Sequence, residues 1–267
     1  MCSFFNVSRS GYYSWLNREP SKRELSNKEL DQKITSIFEA NKNRYGAPRI
    51  TRTLESNGDT YSLNRLARRM QKMNLKAIAK KKFKVTTDSE HNKPIYENIL
   101  NRNFITTAIN QKWCQDISYV RTDEGWIYLA VVIDLHSRSV IGWSMESRMT
   151  KDLVCNALIM ALFKRKFPSG VIIHSDRGSQ YCSDKYRNLI KINKLIGSMS
   201  RKGNCWDNAI AESFFHTLKV ELVHENKYKT REEAKSSIFR YIEQYYNRTR
   251  LHSAIDYKAP IDVELAM

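Results

Sequence analysis

The chain lacks a long apolar run. Its longest apolar segments, IYLAVVI and ALIMALF, are far shorter than the roughly 20 residues that a membrane-spanning helix needs. The N-terminal stretch MCSFFNVSRSGYYSWL also has no apolar core of the kind that signal peptides carry. We therefore expect no membrane partner and a cytoplasmic location.

The chain also lacks an ordered cysteine pattern. Its five cysteines are odd in number and widely spaced, with no C-x-x-C pair and no paired histidines at zinc-ligand spacing. This indicates reduced thiols in a cytoplasm. Internal repeats and low-complexity tracts are missing as well, and 267 residues with 41% hydrophobic content suffice for one large domain plus a smaller one.

Acidic residues are in short supply. The chain has 45 Lys and Arg against 28 Asp and Glu, a formal net charge of +17. Residues 1–110 hold 21 basic and 10 acidic side chains, a balance of +11, whereas residues 111–267 hold 24 and 18, a balance of +6. Such an excess points to a polyanionic partner, nucleic acid first and an anionic membrane second.

The basic N-terminal region, residues 1–100, has the pattern of three short helices. Leu30, Ile34, Ile37 and Phe38 form one apolar stripe from about residue 27, and a short segment with Ile50 and Leu54 follows. Asn57-Gly58 is typical of a helix C-terminus, and Ser62 of the start of a third helix. The order predicts an all-helical region with a helix-turn-helix-like module over about residues 27–80, followed by a polar linker near 85–103.

The third predicted helix has an apolar side and a basic side. We expect Leu63, Leu66, Met70 and Met73 to face inward. The basic residues that we expect to anchor duplex DNA through its phosphates are Arg65, Arg68, Arg69, Lys72 and Lys76. The run KKKFK at 80–84 extends the same positive charge. The alternative is a solvated charged face, which most helices have.

After the linker the apolar period changes. WCQDISYV and SRSVIGWSM alternate around the nearly continuous apolar run WIYLAVVIDL, which predicts three adjacent strands joined by short turns. Helix, strand, helix, strand and a long helix follow. This order predicts an α/β protein with a ribonuclease H-like mixed sheet as catalytic core, residues 101–224, and a helical C-terminal extension, residues 225–267.

Three carboxylates have positions that converge in such a fold. Asp116 lies within the first strand, Asp176 follows the fourth strand in HSDRGSQY, and Glu212 lies on the last long helix in line with His216 and Lys219. Taken singly, Asp116 is explained by an exposed strand, Asp176 by a turn and Glu212 by an ion pair with a lysine on its helix. Taken together, they predict a set of catalytic metal ligands.

The chemistry of that set favours a hard cation. Carboxylate oxygens suit Mg²⁺, with Mn²⁺ as a substitute, whereas Cys or paired His would select another metal. Two Mg²⁺ ions roughly 4 Å apart activate a water or a 3′-hydroxyl and stabilise the leaving oxygen of a phosphoryl displacement. The acids therefore predict metal-dependent phosphoryl transfer.

Several segments resemble one known family over nearly the whole chain. They are GYYSW, RYGAPRI, WCQDISYVRTDEGWIYLAVVIDLHSRSVIGWSM, HSDRGSQY, SMSRKGNCWDNAIAESFFHTLKVE and YYNRTRLHSA. These resemble the second-frame (OrfB) transposases of the insertion sequence three family, which are relatives of retroviral integrases. In the family's DDE motif 35 residues separate the second Asp from the Glu, as they do between Asp176 and Glu212 here, and a Lys follows the Glu by seven residues, as Lys219 does.

The resemblance implies a DNA transposase that cleaves the ends of a mobile element and transfers the exposed 3′-hydroxyl to a new phosphodiester. It implies Asp116, Asp176 and Glu212 as metal ligands and Lys219 beside a phosphate. The implied partners are double-stranded DNA at the element's ends and at the target, further copies of the chain on that DNA, and a subunit from an upstream reading frame. The implied location is the bacterial nucleoid.

Two departures from the family pattern are small. Ser118 stands where Thr is common and keeps the hydroxyl, and Asp256 stands where Gly is common, which affects only a local turn. Two other functions stay open at this point. One is a structure-selective metal-dependent nuclease, and the other is a non-catalytic DNA-binding protein derived from a transposase.

Overall fold

The computed structural model describes residues 2, 4–78, 94–201 and 205–266. The chain divides into two compact units, Met1–Ala79 and Lys80–Met267. The sequence predicted boundaries near residues 100 and 224. In the structure the single division lies at 79/80, and residues 225–266 belong to the same unit as the sheet. The KKKFK run at 80–84 lies outside the described residues.

The first unit is all-helical, as predicted. Its helices are α1 (Arg9–Leu16), α2 (Lys22–Ala40), α3 (Ala47–Ser56) and α4 (Leu63–Lys72). Helix α2 begins about five residues earlier than expected, because Ser21 and Glu24 form a reciprocal capping box. No helix among the described residues of the chain is long and apolar enough to cross a membrane.

The core of the first unit is formed by the apolar stripes of three helices. The buried side chains are Leu30, Ile34, Phe38, Ile50, Leu54, Leu66 and Met70. Leu63, which we expected to face inward, is 46% exposed. It is the first residue of α4. Ile37 and Met73, also expected on the apolar side, are only partly buried, and the rest of the burial follows the predicted periodicity.

The second unit contains a five-stranded mixed sheet. Its strands are β1 (Lys112–Thr122), β2 (Gly125–Asp134), β3 (Val140–Glu146), β4 (Ile172–Ser175) and β5 (Ile196–Met199). The order is β3-β2-β1-β4-β5, with β1, β2 and β3 antiparallel and with β4 and β5 parallel to β1 and to each other. This confirms the predicted ribonuclease H-like arrangement.

Helices cover the two faces of this sheet. They are α5 (Lys151–Lys164), α6 (Asp184–Ile192), α7 (Ala209–Glu221) and α8 (Arg231–Arg240), and a short helix, α9 (Pro260–Leu265), follows them in the chain. One buried cluster joins the sheet to α5 and α6, and a second joins it to α7 and α8. A Cβ at Gly142 would lie 2.2 Å from the Ala157 carbonyl oxygen, so glycine permits α5 to approach β3 this closely.

The last 40 residues pack into the sheet's own core. Tyr228 and Ile238 are buried there, as is Tyr246 at the end of a π-helical turn, Tyr241–Tyr246. The Asn247 side chain donates to the Val140 carbonyl oxygen and accepts from the Val140 amide, both at 2.9 Å. Residues 225–266 are therefore bonded to β3 as well as packed on it.

Asp256 has φ 54° and ψ 39°, in the left-handed region that favours glycine. Asp adopts this conformation more readily than most residues do. The turn that the common glycine would make is therefore kept in this chain.

Candidate active site

Asp116 lies where β1 separates from its parallel neighbour. The pairing of β1 with β4 ends at Cys114 and His174, two residues before Asp116, so the edge of β1 is open from there on. The half-buried Asp116 accepts a 2.8 Å hydrogen bond from the Ile117 amide through Oδ1. The open edge gives this carboxylate access to the space beyond the end of β4.

Asp176 directly follows the last residue of β4. Its Oδ1 accepts a 2.9 Å hydrogen bond from the Gly178 amide, so Asp176 does begin a turn. A Cβ at position 178 would lie 3.0 Å from the same oxygen. The turn therefore holds the carboxylate at the strand end. A role of Asp176 in the turn is compatible with a role as metal ligand.

Glu212 lies on the first turn of α7, on its exposed side. The opposite side of this helix is buried by Ala211, Phe214, Phe215 and Leu218. A 3₁₀ turn, Cys205–Asn208, precedes α7, the long helix that the sequence predicted. The Asn208 side chain donates a 3.1 Å hydrogen bond to the Gln115 carbonyl oxygen, which ties the start of the helix to the residue before Asp116.

The three acids are close enough for their charges to affect one another's pKa values. Burial, and then the charge of Asp176, raise the pKa of Asp116 well above its usual value, and Glu212 adds to this rise. Loss of hydration and the charge of Asp176 also raise the pKa of Glu212. Each charge therefore makes the next one harder to form, which is the effect of like charges held near one another.

A divalent cation fits this chemistry. The donors are carboxylate oxygens, which Mg²⁺ prefers, and a cation would relieve the repulsion that raises these pKa values. Among the residues that the structure describes, no three His, Cys, Asp or Glu side chains already form a group that could hold a metal ion. The structure thus brings Asp116 and Asp176 to one cleft and leaves Glu212 within electrostatic reach but outside the cleft lining.

That cleft has a volume of about 480 Å³ and two chemically different ends. Asp116 and Asp176 form the acidic end, next to the turn at 178–181. The other end is aromatic and apolar, formed by Ile117, Tyr119, Trp126, Tyr128 and Met149. This wall was not predictable from the sequence, because alternation assigns residues to a sheet face without showing where the covering helix begins.

Lys219 reaches the same neighbourhood from α7. Its Nζ lies 5.1 Å from the centroid of the Tyr119 ring, in the geometry of a cation–π contact. Burial lowers the pKa of this lysine, and the charge of Asp116 opposes that shift. The ammonium group is therefore held between the aromatic wall and the acids.

A second acid beside α7 is neutralised by arginines. Asp207 is fully buried and accepts from Arg102 Nε at 2.8 Å and from Arg201 Nη2 at 2.8 Å and Nε at 2.9 Å. The Asn98 side chain adds a bond of 3.0 Å. Hydrogen bonds from Arg201 hold the pKa of Asp207 far below its usual range. Sequence reasoning missed this cluster, whose partners lie up to 109 positions away.

A third acid, Glu221, lies at the C-terminal end of α7. Glu221 is buried and accepts from Arg250 Nη2 at 2.8 Å and from the Tyr241 hydroxyl at 2.8 Å. Arg250 is itself buried and lies over the Tyr246 ring. The segment YYNRTRLHSA, which carried part of the family resemblance, thus holds the end of the helix that bears Glu212.

The basic residues of α4 do not share one exposed face. Arg65 donates from Nη2 to Ser26 Oγ at 3.1 Å and to Asn27 Oδ1 at 3.0 Å, and Arg69 forms an ion pair with Asp31. Both arginines are therefore turned toward α2. The residues of the set that stay exposed are Arg68 and Lys72 on α4 and Lys76, which lies beyond the end of the helix.

The chain is similar to known proteins over almost its whole length. An HTH-like domain matches residues 24–83, and Integrase core domain families match residues 106–205 and 212–263. Transposase InsF for insertion sequence IS3A of Escherichia coli (strain K12) is 48% identical over 255 residues, 95% of this chain and 88% of the relative. The Insertion element IS600 uncharacterized 31 kDa protein of Shigella sonnei is 45% identical over 260 residues, 97% of this chain and 96% of the relative.

Solved structures of integrases are similar at much lower identity. The HTLV-2 integrase catalytic core domain in complex with magnesium (trimeric form) has a TM-score of 0.44 and 14% identity, covering 58% of this chain and 95% of that one. The simian T-cell lymphotropic virus intasome in complex with PP2A regulatory subunit B56 gamma has a TM-score of 0.49 and 17% identity, covering 66% and 60%.

Proposed function

Since the chain belongs to the insertion sequence 3 (IS3) family of transposases, and is a DNA transposase with an integrase core, we propose that Asp116, Asp176 and Glu212 are its catalytic carboxylates. The observation that supports this most is that Asp116 and Asp176, 60 positions apart, line one cleft, where burial and the charge of Asp176 raise the pKa of Asp116. Acids with perturbed pKa values in a cleft are typical of functional sites.

The reaction is a pair of phosphoryl transfers. A water oxygen attacks a phosphorus atom at the element's end, and the bond to the 3′-oxygen breaks. The freed 3′-hydroxyl oxygen then attacks a target phosphodiester, whose own 3′-oxygen leaves. When bound by the three acids, Mg²⁺ supplies activation of the attacking oxygen and neutralises the leaving one. Lys219 lies next to Asp116, where its charge attracts a phosphate of the same strand.

The N-terminal unit is proposed to anchor flanking duplex. The HTH-like match and the exposed Arg68, Lys72 and Lys76 support this role. Arg65 and Arg69, bonded to α2, contribute by holding α4 in place or by adding charge nearby. We further propose that several copies assemble on the DNA at the nucleoid, with an upstream-frame subunit. The two alternative functions have no support from the related proteins.

The central experiment is metal-dependent nicking of a labelled duplex that carries the terminal sequence of the chain's own element, with and without the upstream-frame product. Mg²⁺ or Mn²⁺ should support nicking by the wild type. Asp176→Asn should bind the duplex and fail to nick it. Asp123→Asn, in the exposed β1–β2 turn, is the matched control and should nick normally. Nicking by folded Asp176→Asn at the wild-type rate would contradict the proposal.

A further inference from the structure

The aromatic end of the cleft has a role that the acids do not explain. Tyr119 on β1 and Tyr128 on β2 are direct cross-strand partners, and Trp126 is paired with Arg121 on the same face. Helix α5 covers this face farther along and begins only at Lys151, after the exposed Met149. The sheet therefore continues past its covering helix and presents aromatic rings to the cleft.

These rings form a connected surface that is partly open. The ring of Trp126 meets that of Tyr119 edge to face, with centroids 5.0 Å apart, and the Tyr119 and Tyr128 centroids are 6.5 Å apart. Trp126 is 43% exposed. Exposure of a large aromatic side chain to water in a cleft is unfavourable. Contact with another flat apolar group would remove that surface from water.

Cations border the same surface. The Arg121 guanidinium carbon lies 5.9 Å from the centroid of Trp126, and Lys219 Nζ lies 5.1 Å from that of Tyr119. Positive charge next to aromatic faces is the arrangement that binds single-stranded nucleic acid, since phosphates contact the cations while bases stack on the rings. The rings themselves carry no charge that would pair with a phosphate, so this part of the cleft suits an uncharged flat group.

We propose that the wall formed by Tyr119, Trp126 and Tyr128 binds one unstacked nucleobase of the DNA strand next to the phosphodiester at Asp116 and Asp176. This inference rests on the proposed function, which puts that phosphodiester at the acids. A cleft of about 480 Å³ is large enough for a nucleotide, and a base of a duplex reaches its aromatic wall only by leaving the stack. Stacking then fixes the position of the strand relative to the acids.

The test compares two single strands of equal charge, a 12-nucleotide oligothymidylate and a 12-unit abasic strand, bound to the full chain without metal. Trp126→Leu should lower the affinity for oligothymidylate about 10-fold and leave the abasic strand unaffected, because base stacking is lost and charge is not. Trp126→Phe should stay within about threefold of the wild type, since it keeps a ring. Phe163→Leu, an exposed aromatic on α5 outside the cleft, is the matched control.

Photocrosslinking with 5-iodouracil in the same strand locates the base. Adducts in the peptide that contains Tyr119, Trp126 and Tyr128 are expected, whereas adducts only elsewhere, such as at the exposed Trp15, would overturn the proposal. An equal ratio of the two affinities in Trp126→Leu and wild type would overturn it too. Because these measurements use no metal and no cleavage, their failure is separate from failure of the nicking experiment.

Discussion

The acids around α7 divide into two groups with opposite surroundings. Asp207 before the helix and Glu221 at its end are buried against arginines, and the pKa of Asp207 is lowered. Asp116 and Glu212 are near another carboxylate, and their pKa values are raised. The first group stabilises the fold, whereas the second keeps a repulsion that only a cation or a proton removes. Unrelieved repulsion between acids in a cleft is characteristic of a site that binds a ligand.

Neutralising the second group should have the largest effect and act on activity alone. Asp116→Asn and Glu212→Gln should each lower nicking and strand transfer at least about 1,000-fold, and the double variant should lose little more, because any one ligand dismantles a shared site. The melting temperature should stay constant or rise slightly as repulsion is relieved. Full activity in either folded variant would place that residue outside the site.

Breaking the first group should act on stability. Arg250→Met leaves Glu221 buried without its arginine, which should lower the free energy of unfolding by about 3–5 kcal/mol in urea titrations. The double variant Glu221→Leu/Arg250→Met should recover much of that loss, because no charge remains buried. If Arg250→Met unfolds at the same urea concentration as wild type, the pair does not hold the end of α7.

The pH dependence of stability in acid should reveal the contribution of Asp207. Its pKa is lowered in the folded state from 3.8, so its contribution to stability is complete above that pH and is lost as the pH falls below it. Asp207→Asn should therefore be less stable than wild type at pH 7, by about 1–3 kcal/mol, and should differ less from it near pH 2. Parallel pH curves for the two proteins would contradict the lowered pKa.

Lys219 shares features with both groups of acids, since it is partly buried and is also acted on by the charge of Asp116. Lys219→Ala should reduce strand transfer about 10-fold through loss of a charged contact with phosphate, and Lys219→Arg should keep most of the activity. The free energy of unfolding should change little. If the alanine variant is fully active, the contact of Lys219 with Tyr119 is structural only.

The smallest effect concerns single charges of the N-terminal unit. Arg68→Ala should flatten the slope of log affinity for duplex DNA against log salt by about one unit, because one phosphate contact is lost. Arg69→Ala serves as the matched variant. It should lower stability by breaking the ion pair with Asp31, and an unchanged slope there would indicate that only the exposed basic residues meet DNA.

The fold was predictable because its signals are local. The alternation around Asp116 and the helical spacing of Leu30 and Ile34 are set by periods of two and 3.6 residues, which the structure reproduces. The partners of Asp207 and Glu221 were not predictable, since no local pattern links Glu221 to Arg250 across 29 positions. The orientation of Arg65 and Arg69 also depends on where α2 lies, which charge counting ignores.

The bonds that residues 225–266 make to the sheet carry a consequence for synthesis. Asn247 pairs with Val140, and Glu264 of α9 accepts from Ser137 Oγ at 2.9 Å and forms an ion pair with Arg165. All three candidate acids leave the ribosome well before these late residues do. Since a domain folds as a unit, we expect the nascent chain to complete these bonds to the sheet only after residue 264 has been translated. A chain released before that point would carry all three candidate acids without the late contacts that complete the fold around them.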